Sequence, residues 1–128
     1  MKQWLKLWGP SLLLMAIIFF LSSQSDLPSP PDPLLNRIFK KSAHAIGYGM
    51  LAISYAWALA GSGVRRVVPL ALFFTILYAI SDEWHQTFVP NRFGSPLDVL
   101  IDTVGASLAL YLWPRLQQPK ELKSSANR

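Results

Sequence analysis

Four long apolar stretches, at about residues 4–21, 43–59, 67–89 and 97–113, take up most of this 128-residue chain. A helix needs roughly 20 apolar residues to cross a bilayer core, within a range near 17 to 25, so all four are admissible spans. The first carries the uncharged run SLLLMAIIFFL, and the third opens on VVPLALFFTILYAI. Runs of this length without strict alternation predict helices, not the strands of a barrel. The second stretch is the weakest, being rich in Ala and Gly and interrupted by His44, Tyr48 and Ser54. The expectation is an all-α membrane protein: a compact bundle of four transmembrane helices in one domain over residues 1–113, then a basic cytoplasmic tail over 114–128.

Composition agrees. The chain is 52% hydrophobic and 15% charged, against roughly 25% charged in ordinary soluble domains. Most of its prolines fall between the apolar runs and mark element boundaries. With no cysteine, disulfides and thiolate metal sites are excluded. A net charge of +5 would suit nucleic acid if the basic residues formed a stripe. They stand instead at the ends of hydrophobic runs, where membrane topology accounts for them. The expected partner is the lipid bilayer, not nucleic acid.

Lys2 and Lys6 precede the first run, but it exits into SSQSD with no A-x-A site, so an uncleaved anchor is expected. Pro10 is expected in the first turns of that helix, where a missing N–H costs least. SSQSDLPSPPDPLLNRIFKK reads as a polar, Pro-rich loop, AGSGVRR as a tight turn and PNRFGSP as a short loop. Four spans put both termini on one side, with Lys2, Lys6, Arg65, Arg66, Arg115, Lys120, Lys123 and Arg128. The other side holds fewer basic residues: Arg37, Lys40, Lys41 and Arg92. The positive-inside rule then places both termini in the cytoplasm. Asp26, Asp32, Asp82, Glu83, Asp98 and Asp102 all fall on the outer half, and Glu121 alone on the inner. The orientation rule does not require that asymmetry.

The acids follow helical spacing. If the third helix runs to Val89, Asp82 lies roughly 10 Å below its outer end. Asp82 and Gln86 are i,i+4 and Glu83 and Gln86 are i,i+3, so they share a face that His85 borders. Trp84 and Phe88 fall on another side, as interfacial aromatics do. Asp98 and Asp102 repeat the i,i+4 spacing, and Gly105 with Ala109 continues it as a small-xxx-small face. Lys41, His44 and Tyr48 form a stripe on the second helix, where Ala43 and Gly47 make another small pair. Each residue has a plain reading of its own. Asp98 suits a helix N-terminus, Lys40 and Lys41 can snorkel, and Tyr48 can simply pack. Together they read otherwise: a charge near the bilayer centre costs at least ~2.5 kcal/mol, and three acids at depth predict a shared polar cluster.

That cluster admits three roles. As an enzyme, Asp82, Glu83 and His44 would carry protons while Lys41 and Arg92 held an anionic headgroup or phosphate. As a binding module, the same residues would recognise a headgroup and turn nothing over. As a structural element, they would form a closed ion-pair network that fixes one packing. A divalent cation is a fourth use of carboxylates and histidine, but no HExxH-like spacing is present, so neither metal nor cofactor is expected.

The sequence resembles the VanZ-like membrane proteins, a family named for a teicoplanin-resistance protein. Lys41, His44, Tyr48 and Leu51 in KKSAHAIGYGML carry the likeness. So do Glu83, Gln86, Pro90, Arg92, Asp98, Asp102 and Gly105 in DEWHQTFVPNRFGSPLDVLIDTVG, and the SSQ after the first helix. Two departures stand out: Lys40 where the family often has an acid, and Ala109 where it often has glycine. The resemblance implies an envelope membrane protein, with teicoplanin resistance attached by name. Together with the spacing it gives a site of Lys41, His44, Tyr48, Asp82, Glu83, Gln86, Arg92, Asp98 and Asp102. A lipid headgroup or cell-wall precursor is the expected ligand.

Overall fold

A computed structural model describes residues 2–24, 30–90, 92 and 94–117. They form α1 (Lys2–Ser22), α2 (Pro33–Gly61), α3 (Val67–Gln86) and α4 (Pro96–Gln117), with no strand among the described residues. Asp26 and the tail residues Lys120, Glu121, Lys123 and Arg128 lie outside them. The molecule is an all-α bundle of four helices. In three of them, Lys2–Ser22, Val67–Gln86 and Pro96–Leu116, length and apolarity suffice to cross a membrane.

The helix ends differ from expectation for identifiable reasons. Helix α2 starts ten residues before the expected 43, inside the stretch read as a loop. Asp32 caps it, its Oδ1 accepting from Leu34 N at 2.9 Å and Leu35 N at 3.0 Å, and Pro33 takes the first helical position. That cap-then-proline pair is a start signal, because it satisfies free N–H groups and needs none from the proline. At 29 residues, α2 is about 43 Å long, more than the roughly 30 Å of a hydrocarbon core. Its first turns show Leu34, Leu35, Ile38 and Phe39 outward, as suits a segment lying among headgroups. Helix α1 starts at Lys2, so Pro10 sits in its interior and leaves the Lys6 carbonyl without its usual donor. Helix α3 stops at Gln86, not Val89. Asp82 is therefore about 6 Å from the helix end, shallower than expected. Helix α4 continues through Pro114 to Gln117.

Side-chain pairings fix the directions. Ser11 meets Ser54 while the later Ser22 shares a carboxylate with the earlier Tyr48, so α1 and α2 are antiparallel. Lys41 meets Asp98, His44 faces Asp102, and Gly49 faces Ala109, so α2 and α4 run parallel. Helix α2 is central: it packs on the other three, most extensively on α4.

The packing is inverted relative to a soluble bundle. Large apolar residues face outward, among them Leu13, Phe20, Ile46, Trp84 and Phe88. The interior holds Ala52, Ala56, Ala58, Ala71, Ala79 and Ala106, together with buried Ser11, Ser54, Thr75, Asp82, Glu83, Gln86 and Asp102. In lipid, apolar burial between helices gains little, and association rests on close backbone approach and interhelical hydrogen bonds. Gly105 shows the first. A Cβ there would lie against the Ala45 backbone, 2.9 Å from its Cα. A Cβ at Gly49 would meet both Ala109 Cβ and Gly105 O at 3.3 Å. The small face of α4 is as expected, but its counterpart on α2 is Ala45 and Gly49. The expected pair does not serve: Ala43 is exposed, and nothing lies within 4 Å of a Cβ built at Gly47.

Candidate functional site

Parallel packing of α2 against α4 aligns two i,i+3/i+4 stripes at one end of the bundle. Lys41 Nζ lies 3.5 Å from Asp98 Oδ1, both side chains about one-third exposed at 34% and 29%. One turn deeper, His44 Nδ1 is 3.4 Å from Asp102 Oδ1, in ion-pair range but without hydrogen-bond alignment. Asp102 is fully buried and neither of its oxygens has a hydrogen-bond partner. The Gly105 contact lies just below and holds these two helices close enough for the pairs to form.

Helix α3 contributes the other acids, and they face different neighbours. Asp82 Oδ2 accepts from Ser22 Oγ at 2.9 Å, Tyr48 OH at 2.9 Å and Gln86 Nε2 at 3.5 Å. These neutral donors join α1, α2 and α3 through one carboxylate. Glu83 Oε2 accepts from Ser95 N at 2.9 Å, while its Oε1 is buried without a partner. Gly94 permits that bond, because a Cβ there would sit 2.6 Å from the Glu83 carbonyl oxygen. His85, expected at the border of the polar face, packs on Phe19 with ring centroids 4.4 Å apart.

Arg92 pairs with none of the acids among the described residues. Its Nε donates to Gln24 O at 3.0 Å and its Nη2 to Leu21 O at 3.5 Å. These carbonyls lie at the end of α1, where helical carbonyls lack intrahelical donors and a cation is favoured.

Between the helices lies a cavity of about 470 Å³. Of the residues read from the sequence, Lys41, His44, Gln86, Arg92, Asp98 and Asp102 line it. Tyr48, Asp82 and Glu83 do not; they belong to the packed layer behind. Sequence reasoning missed Asn36, Arg37 and Lys40 as lining residues. Their signal was the continuation of the Lys41 stripe one turn back, hidden because that segment was read as a loop. The wall thus combines Arg37, Lys40, Lys41 and Arg92 with Asp98 and Asp102. Such a lining suits an anion at the mouth and a cation deeper in. At its inner wall His44 and Asp102 meet Glu83 of the layer behind, one ligand atom of each lying within 4.8 Å of the others.

The profile of the VanZ/LLP1 family matches residues 7–117. The chain belongs to the VanZ/LLP1 family. No curated protein and no solved structure matches it. The VanZ/LLP1 match runs through all four helices, so the cavity and each buried acid fall within the family region. In this VanZ/LLP1 protein the family resemblance and the cavity rest on overlapping residues, Lys41, His44, Gln86, Arg92, Asp98 and Asp102.

Proposed function

We propose that this VanZ-like protein binds an envelope lipid or lipid-linked cell-wall precursor through its phosphate-bearing headgroup, in the cavity between α2 and α4. The observation that carries this reading is the basic mouth of the cavity. Arg37, Lys40, Lys41 and Arg92 stand around an opening at the end where α2 extends past a hydrocarbon thickness, the depth of lipid phosphates. Arginine forks and lysine point charges are the side chains suited to phosphate. Any effect on teicoplanin susceptibility, the property for which the family is named, belongs to the same reading and would require the intact cavity.

Lipid retention by the purified protein tests it. Native mass spectrometry should show phosphatidic acid held in preference to phosphatidylcholine with the same acyl chains. Arg37→Gln with Lys40→Gln should weaken that preference by roughly tenfold, as should raised salt. Equal retention of the two lipids would contradict the reading.

The orientation belongs to the same proposal: an inner-membrane protein with both termini in the cytoplasm and the cavity facing outward. It is supported by the excess of Lys and Arg near the termini and the α2–α3 turn. The cysteine-free chain allows a direct check. In intact cells a membrane-impermeant maleimide should label Pro31→Cys and spare Ser62→Cys, both at exposed positions. The reverse pattern would invert the topology.

A second reading has its own support. Asp82 joins α1, α2 and α3, and Lys41–Asp98 joins α2 to α4, which fits a polar network whose role is to fix the bundle.

A further inference from the structure

Among the described residues, three buried carboxylates have no lysine or arginine partner. Asp82, Glu83 and Asp102 are each at least nine-tenths buried, at 3%, 6% and 0% exposure. Lys41 is taken by the half-buried Asp98, and Arg92 by backbone carbonyls. Among the described residues, His44 is the one basic group within ion-pair distance of any of the three. Neutral donors satisfy one oxygen of Asp82. Nothing comparable serves Asp102, whose two oxygens are both unpartnered, or Oε1 of Glu83. An unpaired carboxylate in a dry interior is expensive, and such groups are found paired or coordinating metal.

The three side chains His44, Glu83 and Asp102 converge. One ligand atom each from His44 on α2, Glu83 on α3 and Asp102 on α4 lies within 4.8 Å of the other two. Ligands at about 2.0–2.2 Å from a first-row ion stand closer together than that, and small side-chain rotations cover the difference. The surroundings hold two of the ligands in place, as outer partners do in metal sites. Ser95 N fixes Glu83 through Oε2 and leaves Oε1 free. The close contact of Gly105 with Ala45 sets Asp102 opposite His44.

We propose that His44, Glu83 and Asp102 form a divalent-cation site at the inner wall of the cavity, His44 and Asp102 lining it and Glu83 reaching in from behind. One nitrogen and two carboxylate ligands suit zinc(II), manganese(II) or iron(II) better than magnesium or calcium, which prefer all-oxygen shells. Three protein ligands leave coordination positions open, and His44 and Asp102 both line the cavity, so those positions face whatever enters it. The site is independent of the headgroup reading: an ion can bind here whether or not a lipid does.

The test is a titration of the full chain in detergent, stripped with EDTA, with cobalt(II) alone as a visible-absorption probe and zinc(II) as its competitor. The native protein should take up one ion per chain with the absorption of mixed nitrogen and oxygen ligation, and zinc(II) should displace it. Glu83→Gln and Asp102→Asn should each weaken uptake by more than about tenfold. His44→Ala, nearer the open mouth, should do the same and serves as the second variant if Asp102→Asn does not fold, with far-UV helicity as the folding control. Absence of saturable uptake by the native chain would overturn the proposal. Uptake unchanged in folded Glu83→Gln or His44→Ala would also overturn it, because the ion would then sit elsewhere.

Discussion

Gly105→Leu is expected to prevent the folded bundle from accumulating. The Gly105 position faces the Ala45 backbone so closely that even a Cβ would lie 2.9 Å from Ala45 Cα. The obstacle is backbone, which cannot rotate out of the way as a side chain can. Helices α2 and α4 would have to move apart along the most extensive interface in the molecule. Overpacking typically costs about 1–3 kcal/mol and occasionally more. Gly105→Ala should fall in that range and Gly105→Leu above it, against total stabilities of about 5–15 kcal/mol. Thermal unfolding in detergent, followed by helicity, measures both. Gly47→Ala is the contrast: nothing lies within 4 Å of its Cβ, and removing a helix-interior glycine should stabilise by up to about 1 kcal/mol. Native-like melting of Gly105→Leu would mean the helices do not approach as described.

The second large effect is expected at Asp82. Asp82→Ala removes the acceptor shared by Ser22, Tyr48 and Gln86 and strands their donors in a layer where Tyr48 is 1% exposed. A buried donor left unmade costs about 1–3 kcal/mol in soluble proteins, although single interhelical bonds in membranes average only about 0.6 kcal/mol. With three donors affected, a loss of roughly 2–4 kcal/mol is expected. Asp82→Asn keeps an acceptor oxygen and should retain most of the stability. The comparison of Ala with Asn, read by thermal unfolding, separates an acceptor role from a charge. Equal melting of Asp82→Ala and the native chain would show that these bonds do not hold α1, α2 and α3 together.

The bundle was legible in the sequence because lipid imposes a length rule that apolar runs reveal directly. The early start of α2 was less so. DPLLNRIFKK is polar enough to pass for loop, and its Asp32–Pro33 start signal stood among other prolines. The paired stripes Lys41/His44 and Asp98/Asp102 were readable from periodicity, since both partners repeat every three or four residues and the helices run parallel. Periodicity on one helix says nothing about which helix a face meets. That is why Ala45 and Gly49, not Ala43 and Gly47, turned out to face α4. Arg92 looked like a counterion because it is near the acids in sequence, whereas in space it meets the Leu21 and Gln24 carbonyls at the end of α1. The His44–Glu83–Asp102 trio has no motif spacing, because each residue sits on a different helix, so its convergence could not be read from a local pattern.

If the polar cavity binds a lipid headgroup, as proposed, and is not only a brace between helices, stability and lipid retention can be separated. The most direct measurement pairs stability with lipid retention in one variant, Lys41→Gln with Asp98→Asn. This removes both partners of the α2–α4 pair without leaving either charge alone. The pair is about one-third exposed, so its loss should cost no more than about 1 kcal/mol. The variant should accumulate and melt close to the native chain yet no longer prefer phosphatidic acid over phosphatidylcholine. A variant that keeps the preference, or one that disappears from the membrane, would contradict the proposal.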